Sequence, residues 1–448
     1  MTLYEIVKAL QNASGNNEKQ AILLAHKDDA LFREYMRVVY DVVKLSYYQT
    51  KLPAVSKAGT AKFSHNDAAM IERYLSGRLV TGHAAKQWLK DFLEELDPEG
   101  QELVGYIIDR SIGANVGDKM VLTAWPGMYF IPPYMRCASM DEKTRELFGK
   151  LPYFYVQVKR DGSFAYLSTG AIWTRQGSMY PDWFVGRMSA GMGQNEVLVG
   201  EMEVYKDGKL LSRKDGNGVL NSILQGGLES EYNAYEFKYV AWDLLSLGEF
   251  EQGESKRHYG ERWENLMVAV AGKQFNDHIE LVQCWKVFSV AEAKKIHTNL
   301  TAQGLEGSVW KTAFGEWRDT SSGSRDAVKV KVVFDADYKI IGYYEGAGKA
   351  RGMLGGITVT TSCGKLVNDC GSGFNDDDRK RYWAIREQLP GMIATLEAND
   401  ITEARNKATV SLSLPIVLEI RSDKKEADSL ERVRAQLVAA RLGQKLSS

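Results

Sequence analysis

Residues 153–164 read YFYVQVKRDGSF. Tyr153, Tyr155 and Gln157 alternate with Phe154, Val156 and Val158, the two-residue period of a pleated strand. Lys159 continues that run, and Arg160-Asp161-Gly162 turns the chain into a second strand-like run, SFAYLS. A lysine amine is nucleophilic only when neutral, and burial or nearby positive charge lowers its pKa toward that state. A lysine at a strand end, before a tight polar turn, suits that use, although K-x-D-G alone is a common tetrapeptide. Its company narrows the chemistry. Glu201 and Glu203 in VGEMEV share one face of a strand by period two. YEFKYVAWDLL carries Trp242 on a buried-looking strand, LEGSVWK offers Glu306 before another, and AVKVKV sets Lys329 and Lys331 on one face. Lysines neutralise phosphate oxygens, carboxylates hold a hard divalent cation, and an aromatic ring stacks on a base. With a reactive amine, the set points to phosphoryl or nucleotidyl transfer. Plainer readings stand beside these: Lys329 and Lys331 as the solvated face of an edge strand, Trp242 as core, Glu203 as the working carboxylate in place of Glu201.

The elements that must position these residues fall into three blocks. Up to about residue 125 the chain reads as helical. In TGHAAKQWLKDFLEELDPEG, Thr81 is a candidate cap, Trp88, Leu89, Phe92, Leu93 and Leu96 recur at helical spacing, and Pro98 and Gly100 are expected to close the helix. NNEKQAILLAHKDDALFREYMRVVYDVVKLSYY predicts two further helices. Between these segments, KLSYYQTKLPAVSKAGTAKF places Lys44, Lys51, Lys57 and Lys62 around Tyr47 and Tyr48 with no acidic residue. That stretch is either a solvated loop or a segment that tracks a phosphate backbone. Prolines 126, 132 and 133 mark a linker-like approach to the second block, which alternates short strands with helices and carries most of the motifs. From about Val332, short strands and glycine turns suggest a small β-barrel, followed by a helix that begins on Asp376, Asp377 and Asp378.

The bulk composition sets bounds. A length of 448 residues exceeds one hydrophobic core, and 44% hydrophobic with 26% charged residues is an ordinary globular balance. No apolar run approaches the roughly 20 residues of a membrane span, and the N-terminus lacks a signal-peptide pattern, so a soluble, cytoplasmic protein is expected. Cys137, Cys284, Cys363 and Cys370 form no CxxC pair, and the histidines form no HxxxH pattern, which argues against zinc and against a disulfide framework. A net charge of −1 leaves open a local basic surface for nucleic acid.

KRDG, TRQG, VGEMEV, YVAWDLL, LEGSVWK and AVKVKV, in that order, resemble the motifs of ATP-dependent DNA ligases within the covalent nucleotidyltransferase superfamily. Near the C-terminus, LPIVLEIRSDKKEA resembles the family's last motif, R-x-D-K, at Arg421, Asp423 and Lys424. The first block is similar to the helical DNA-binding domain of T4-type phage ligases. The resemblance implies a multidomain α+β protein. A helical N-terminal DNA-binding domain would span 1–128. A nucleotidyltransferase (ATP-grasp-like adenylation) domain of antiparallel sheets and helices would span 129–332, and a C-terminal OB-fold β-barrel 333–448. It implies ATP and Mg²⁺, with Mn²⁺ able to substitute, nicked double-stranded DNA as partner, no membrane, and a monomer working in the cytoplasm of a phage's host.

By the same resemblance, Lys159 would attack the α-phosphate of ATP, with Asp161 and Gly162 shaping its turn. Trp242 would stack on adenine, and the Gln157 amide oxygen would accept from the exocyclic amine. Glu201 would contact the ribose or a metal, and Glu306 would hold Mg²⁺. Lys329 and Lys331 would grip the α-phosphate and later the nick phosphate. Arg175 would contact the nick 5′-phosphate, and Lys44, Lys51, Lys57, Lys62 and Lys119 the duplex. Arg421, Asp423 and Lys424 would close over ATP about a hinge near VVFDADYK. One departure is Phe164, where the family often has an arginine six positions into its first motif. RNA ligases and capping guanylyltransferases share the lysine chemistry but do not need the helical first block. NAD⁺-dependent DNA ligases carry a four-cysteine zinc module not seen here. A non-catalytic DNA clamp would be expected to have lost some of these motifs.

Overall fold

The computed structural model describes residues 1–41, 52–272, 275–346, 350–403 and 408–444. They pack as two compact units, one of Met1–Pro132, Phe164–Ala190 and Gly218–Ala234, the other of Pro133–Ser163, Gly191–Asn217 and Tyr235–Ser448. Among the described residues, no helix is long and apolar enough to cross a membrane.

The first unit is built on the helices that the apolar spacing predicts. Leu3–Asn12 begins with a Thr2/Glu5 capping box, and Ala30–Tyr40 begins with the Asp29 carboxylate accepting from Phe32 N at 2.9 Å. Ile6, Leu10, Phe32, Tyr35, Leu89 and Val104 are fully buried in one core. Contrary to expectation, Pro98 does not close the helix Gly82–Glu95. It opens the next helix, Pro98–Asp109, where its missing N–H costs nothing and Asp97 accepts from Gly100 N at 2.8 Å.

In the second unit, a five-stranded sheet runs in the order Cys137–Ser139, Ser324–Lys331, Gly307–Thr312, Phe154–Val158, Cys284–Val287. The strand that ends before Lys159 is therefore interior to the sheet. Phe154 and Val156 face a core with Phe148, Trp310 and Val328, and the Phe154 and Trp310 rings lie 5.4 Å apart. The alternate residues Tyr155 and Gln157 face the other way, and Lys159 continues their side. A second sheet pairs Glu196–Lys206 with Tyr235–Ser246, and the latter with Ile279–Leu281. Pairing is not wholly antiparallel: Cys137–Ser139 and Ile279–Leu281 each join an edge in parallel, because helices and loops return the chain to the same end.

The C-terminal segment forms a five-stranded antiparallel sheet, Val367–Cys370, Leu354–Thr360, Phe334–Glu345, Ile393–Ala398 and Ile416–Arg421, with a separate ribbon of Asp400–Glu403 and Val410–Ser413. Strand pairing among the described residues does not close a barrel. The ribbon instead meets the sheet through one backbone bridge, Leu366 to Val410, and through Asn368, whose side-chain oxygen accepts from Leu412 N at 2.8 Å. As the acidic run predicts, helix Asp376–Ala384 starts on its three aspartates, with Asn375 as cap. The cysteines are free thiols.

Candidate active site

Lys159 sits where the lysine strand leaves the sheet, and its backbone N–H donates to Gly307 O at 3.0 Å. Gly307 is also the register partner of Lys331, so the two lysines flank a residue with no side chain. A Cβ at Gly307 would lie 2.2 Å from Val330 O, and its φ of +146° is a backbone conformation that favours glycine. Immediately before it, the Glu306 carboxylate pairs with the Lys159 amine and, through its other oxygen, with Lys331 Nζ at 2.7 Å. Burial would raise the Glu306 pKa, but the two lysines outweigh burial and hold it below the usual carboxylate value. One row further into the sheet, Gln157 and Lys329 are both register partners of Val309. The sheet thus sets Gln157 and Lys159 on one side of the Gly307 strand, and Lys329 and Lys331 on the other.

The turn after Lys159 is held by both candidate glutamates, in different ways. Glu203 is buried and receives two bonds from the Arg160 guanidinium, at 2.7 and 2.5 Å, and a third from Tyr205 Oη at 3.0 Å. Its charge is therefore committed to anchoring the turn. Among the described residues Glu201 accepts only from Gly162 N, at 2.9 Å, and burial pushes its pKa up to about 7. Gly162 fits because a Cβ there would meet Met202 O at 2.5 Å. Asp161 is exposed and pairs with Arg213 at 3.0 Å.

Under the lysine strand lies a polar group that the sequence did not single out. Tyr259, at the start of helix Tyr259–Ala271, accepts from Gln157 Nε2 at 2.6 Å and donates to Trp242 O at 3.0 Å. Lys311 Nζ is 4.3 Å from the centre of the Tyr259 ring and donates to Trp242 O at 3.3 Å; burial lowers its pKa to about 8. Beside them, buried Arg262 grips Asp243 with bonds of 2.8 and 3.1 Å. The quoted motifs contain Lys311 and Asp243, yet nothing in their spacing showed that a distant helix would bring Tyr259 and Arg262 to them. The Trp242 side chain is half-buried.

No protein-family model matches the chain. Among curated proteins, the DNA ligase of Enterobacteria phage T4 is 28% identical over 96% of this chain and 98% of its own length. That of Enterobacteria phage T6 is 27% identical over the same shares. The chain resembles the T4-type DNA ligases. Among solved structures, one named Pmar-Lig_Pre. has the same fold, with a TM-score of 0.72 at 20% identity, covering 95% of this chain and 100% of that one.

The remaining predicted residues lie elsewhere. Arg421, Asp423 and Lys424 gather on Asp337: Lys424 Nζ reaches its carboxylate at 2.6 Å, Arg421 at 3.7 Å, and Asp423 is bound to Arg421 at 2.5 Å. Here they are paired with one another and not with Lys159. Arg175 belongs to the first unit, in the exposed turn that follows strand Ile172–Thr174. Lys57 and Lys62 are exposed on a segment that hydrogen-bonds the end of helix Gly82–Glu95 through Gly59 and Ala61, and Lys119 is exposed on helix Asp118–Ala124. Lys44 and Lys51 lie outside the described residues. Phe164, at the arginine position, packs edge-on against Tyr166 with ring centres 4.9 Å apart.

Proposed function

We propose that the chain is an ATP-dependent DNA ligase that seals 3′-OH/5′-phosphate nicks in duplex DNA. The observation that carries this is the Glu306 carboxylate shared by Lys159 and Lys331 across Gly307. It sets a strand-end amine beside a second cation in a chain similar to DNA ligases over nearly its whole length.

In the first step, the neutral Lys159 amine attacks the α-phosphorus of ATP. The Nζ–P bond forms, the bond to pyrophosphate breaks, and a lysyl-AMP results. Lys331 and Lys329 balance the charge on the α-phosphate oxygens. In the second step, an oxygen of the nick 5′-phosphate attacks the same phosphorus, and the P–N bond breaks to return the amine. In the third, the 3′-OH attacks the 5′-phosphorus and AMP leaves. Trp242 supplies the ring face for adenine and Gln157 the contact to its edge. Arg175 takes the nick 5′-phosphate.

The donor set suits a hard cation. Glu201 and Glu306 are two carboxylates among lysines, and they would leave most coordination positions to phosphate and water, as Mg²⁺ prefers. When bound there, Mg²⁺ would neutralise phosphate charge, and Mn²⁺ could take the same ligands. Glu203, spent on Arg160, is the positioning carboxylate, which favours Glu201 as the working one.

We assign residues 1–128 to DNA binding, with Lys57, Lys62 and Lys119 on the duplex backbone and Lys44 and Lys51 as further contacts. Residues 129–332 are assigned to adenylation and 333–448 to an OB-type module. That module would bring Arg421, Asp423 and Lys424 over ATP by bending at Val332–Val333, between strands Ser324–Lys331 and Phe334–Glu345. The protein would act as a monomer in the cytoplasm of a phage's host. A singly nicked duplex with a labelled 5′-phosphate tests the reading: sealing should need ATP and fail on a 5′-hydroxyl nick. Sealing of nicked RNA but not of nicked DNA would overturn it.

A further inference from the structure

The hydrogen bonds around Tyr259 fix the direction of an amide. Trp242 O can only accept, so the Tyr259 hydroxyl proton points to it, across 3.0 Å. The hydroxyl then has lone pairs left for Gln157, 2.6 Å away, and Gln157 must present its NH₂ group to them. Cys284 is the direct register partner of Gln157 on the neighbouring strand. With its nitrogen held inward, the amide leaves only an acceptor, Oε1, for a ligand. The Tyr259 ring is itself clamped, edge-on to Tyr155 at 5.5 Å and under the Lys311 ammonium. Both Tyr259 and Gln157 are almost fully buried, so water does not compete for these bonds.

We infer that Tyr259 is a positioning residue for nucleobase choice: by locking Gln157 as an acceptor, it makes the site take a 6-amino purine and reject a 6-oxo purine. The inference rests on the nucleotidyl-transfer reading and adds to it. An exocyclic amine donates to Oε1, whereas the carbonyl of guanine or hypoxanthine sets two acceptors face to face. An amide free to flip could satisfy either base. A site built around a fixed buried partner discriminates more strongly than one that adapts.

The test is the rate of Lys159 labelling in the full chain, without DNA, using α-labelled ATP, GTP and ITP. Wild type should label at least tenfold more slowly with ITP than with ATP; labelling within twofold would overturn the inference without any variant. Tyr259→Phe should lower the ATP-to-GTP ratio roughly five- to tenfold. In a Gln157→Glu background, both side-chain oxygens accept and no flip is possible, so adding Tyr259→Phe should leave the ratio within twofold. An unchanged ratio in Tyr259→Phe with its adduct intact overturns the inference, as does an equal fall in both backgrounds, the mark of a merely structural tyrosine. If no nucleotide labels wild type, the nucleotidyl-transfer reading falls and takes this inference with it.

Discussion

At the scale of single residues, the site depends on how each charge is paired. Glu201 and Glu203 stand two residues apart on one strand face, yet Glu203 is spent on Arg160 while Glu201 accepts from a backbone N–H. Period two showed the shared face, but could not show which carboxylate meets an arginine. Burial pushes Glu201 up to about 7 from an ordinary 4.5, so the folded chain binds that proton more tightly than the unfolded chain. Stability should therefore fall as pH rises from about 4.5 to about 7. Glu201→Gln removes the charge, and its stability relative to wild type should climb over that window by about 3 kcal/mol, then level off. Urea unfolding of both proteins at pH 5 and pH 8 checks this; a difference independent of pH would contradict it. In the same chain, Glu306→Gln should lower adenylation of Lys159 while shifting the thermal midpoint by only a few degrees, because the amide oxygen still accepts from one lysine and the other ammonium is partly exposed to solvent.

Elements explain why these side chains meet. The lysine strand and the strand ending at Lys331 were legible from alternation, and their register across the Gly307 strand brings three separate motifs together as two lysines on one carboxylate. Gly307→Ala tests that arrangement. The added methyl meets Val330 O and strains a left-handed backbone, so adenylation should fall by roughly tenfold or more with a few kcal/mol lost in stability. Normal labelling by the alanine variant would show that the close strand approach is dispensable. The helix Tyr259–Ala271 was less legible. Its buried Arg262 reaches Asp243 across 19 residues of sequence, a contact that no local period reveals. Removing the guanidinium strands a buried carboxylate, so Arg262→Ala should destabilise by about 3–5 kcal/mol, measured by urea unfolding. A cost below about 1 kcal/mol would mean that Asp243 finds another partner. Pro98 shows the opposite error. Read as a stop, it is a start, because proline is tolerated at both boundaries and only the Asp97 cap decides between them.

For the whole molecule, composition was the weakest guide. A net charge of −1 concealed exposed Lys57, Lys62 and Lys119, and the resemblance, not the charge count, assigned them to DNA. Their contacts would be to phosphates, so each Lys→Ala change should weaken binding of nicked and intact duplex alike and reduce the slope of log K against log salt by about 1. Titration of a fluorescent duplex at several salt concentrations measures it; an unchanged slope removes that lysine from the interface. In the C-terminal segment Arg421 and Lys424 are paired with Asp337, so these residues would have to exchange partners to reach a nucleotide. Whether the chain performs nucleotidyl transfer at all turns on one bond. Wild type, first stripped of bound AMP with pyrophosphate, should form an acid-labile AMP adduct from α-labelled ATP and Mg²⁺ without DNA. Lys159→Ala should form none, and nicked DNA should discharge the wild-type adduct. No adduct on wild type, or an equal adduct on Lys159→Ala, would contradict the assignment of Lys159 as the nucleophile.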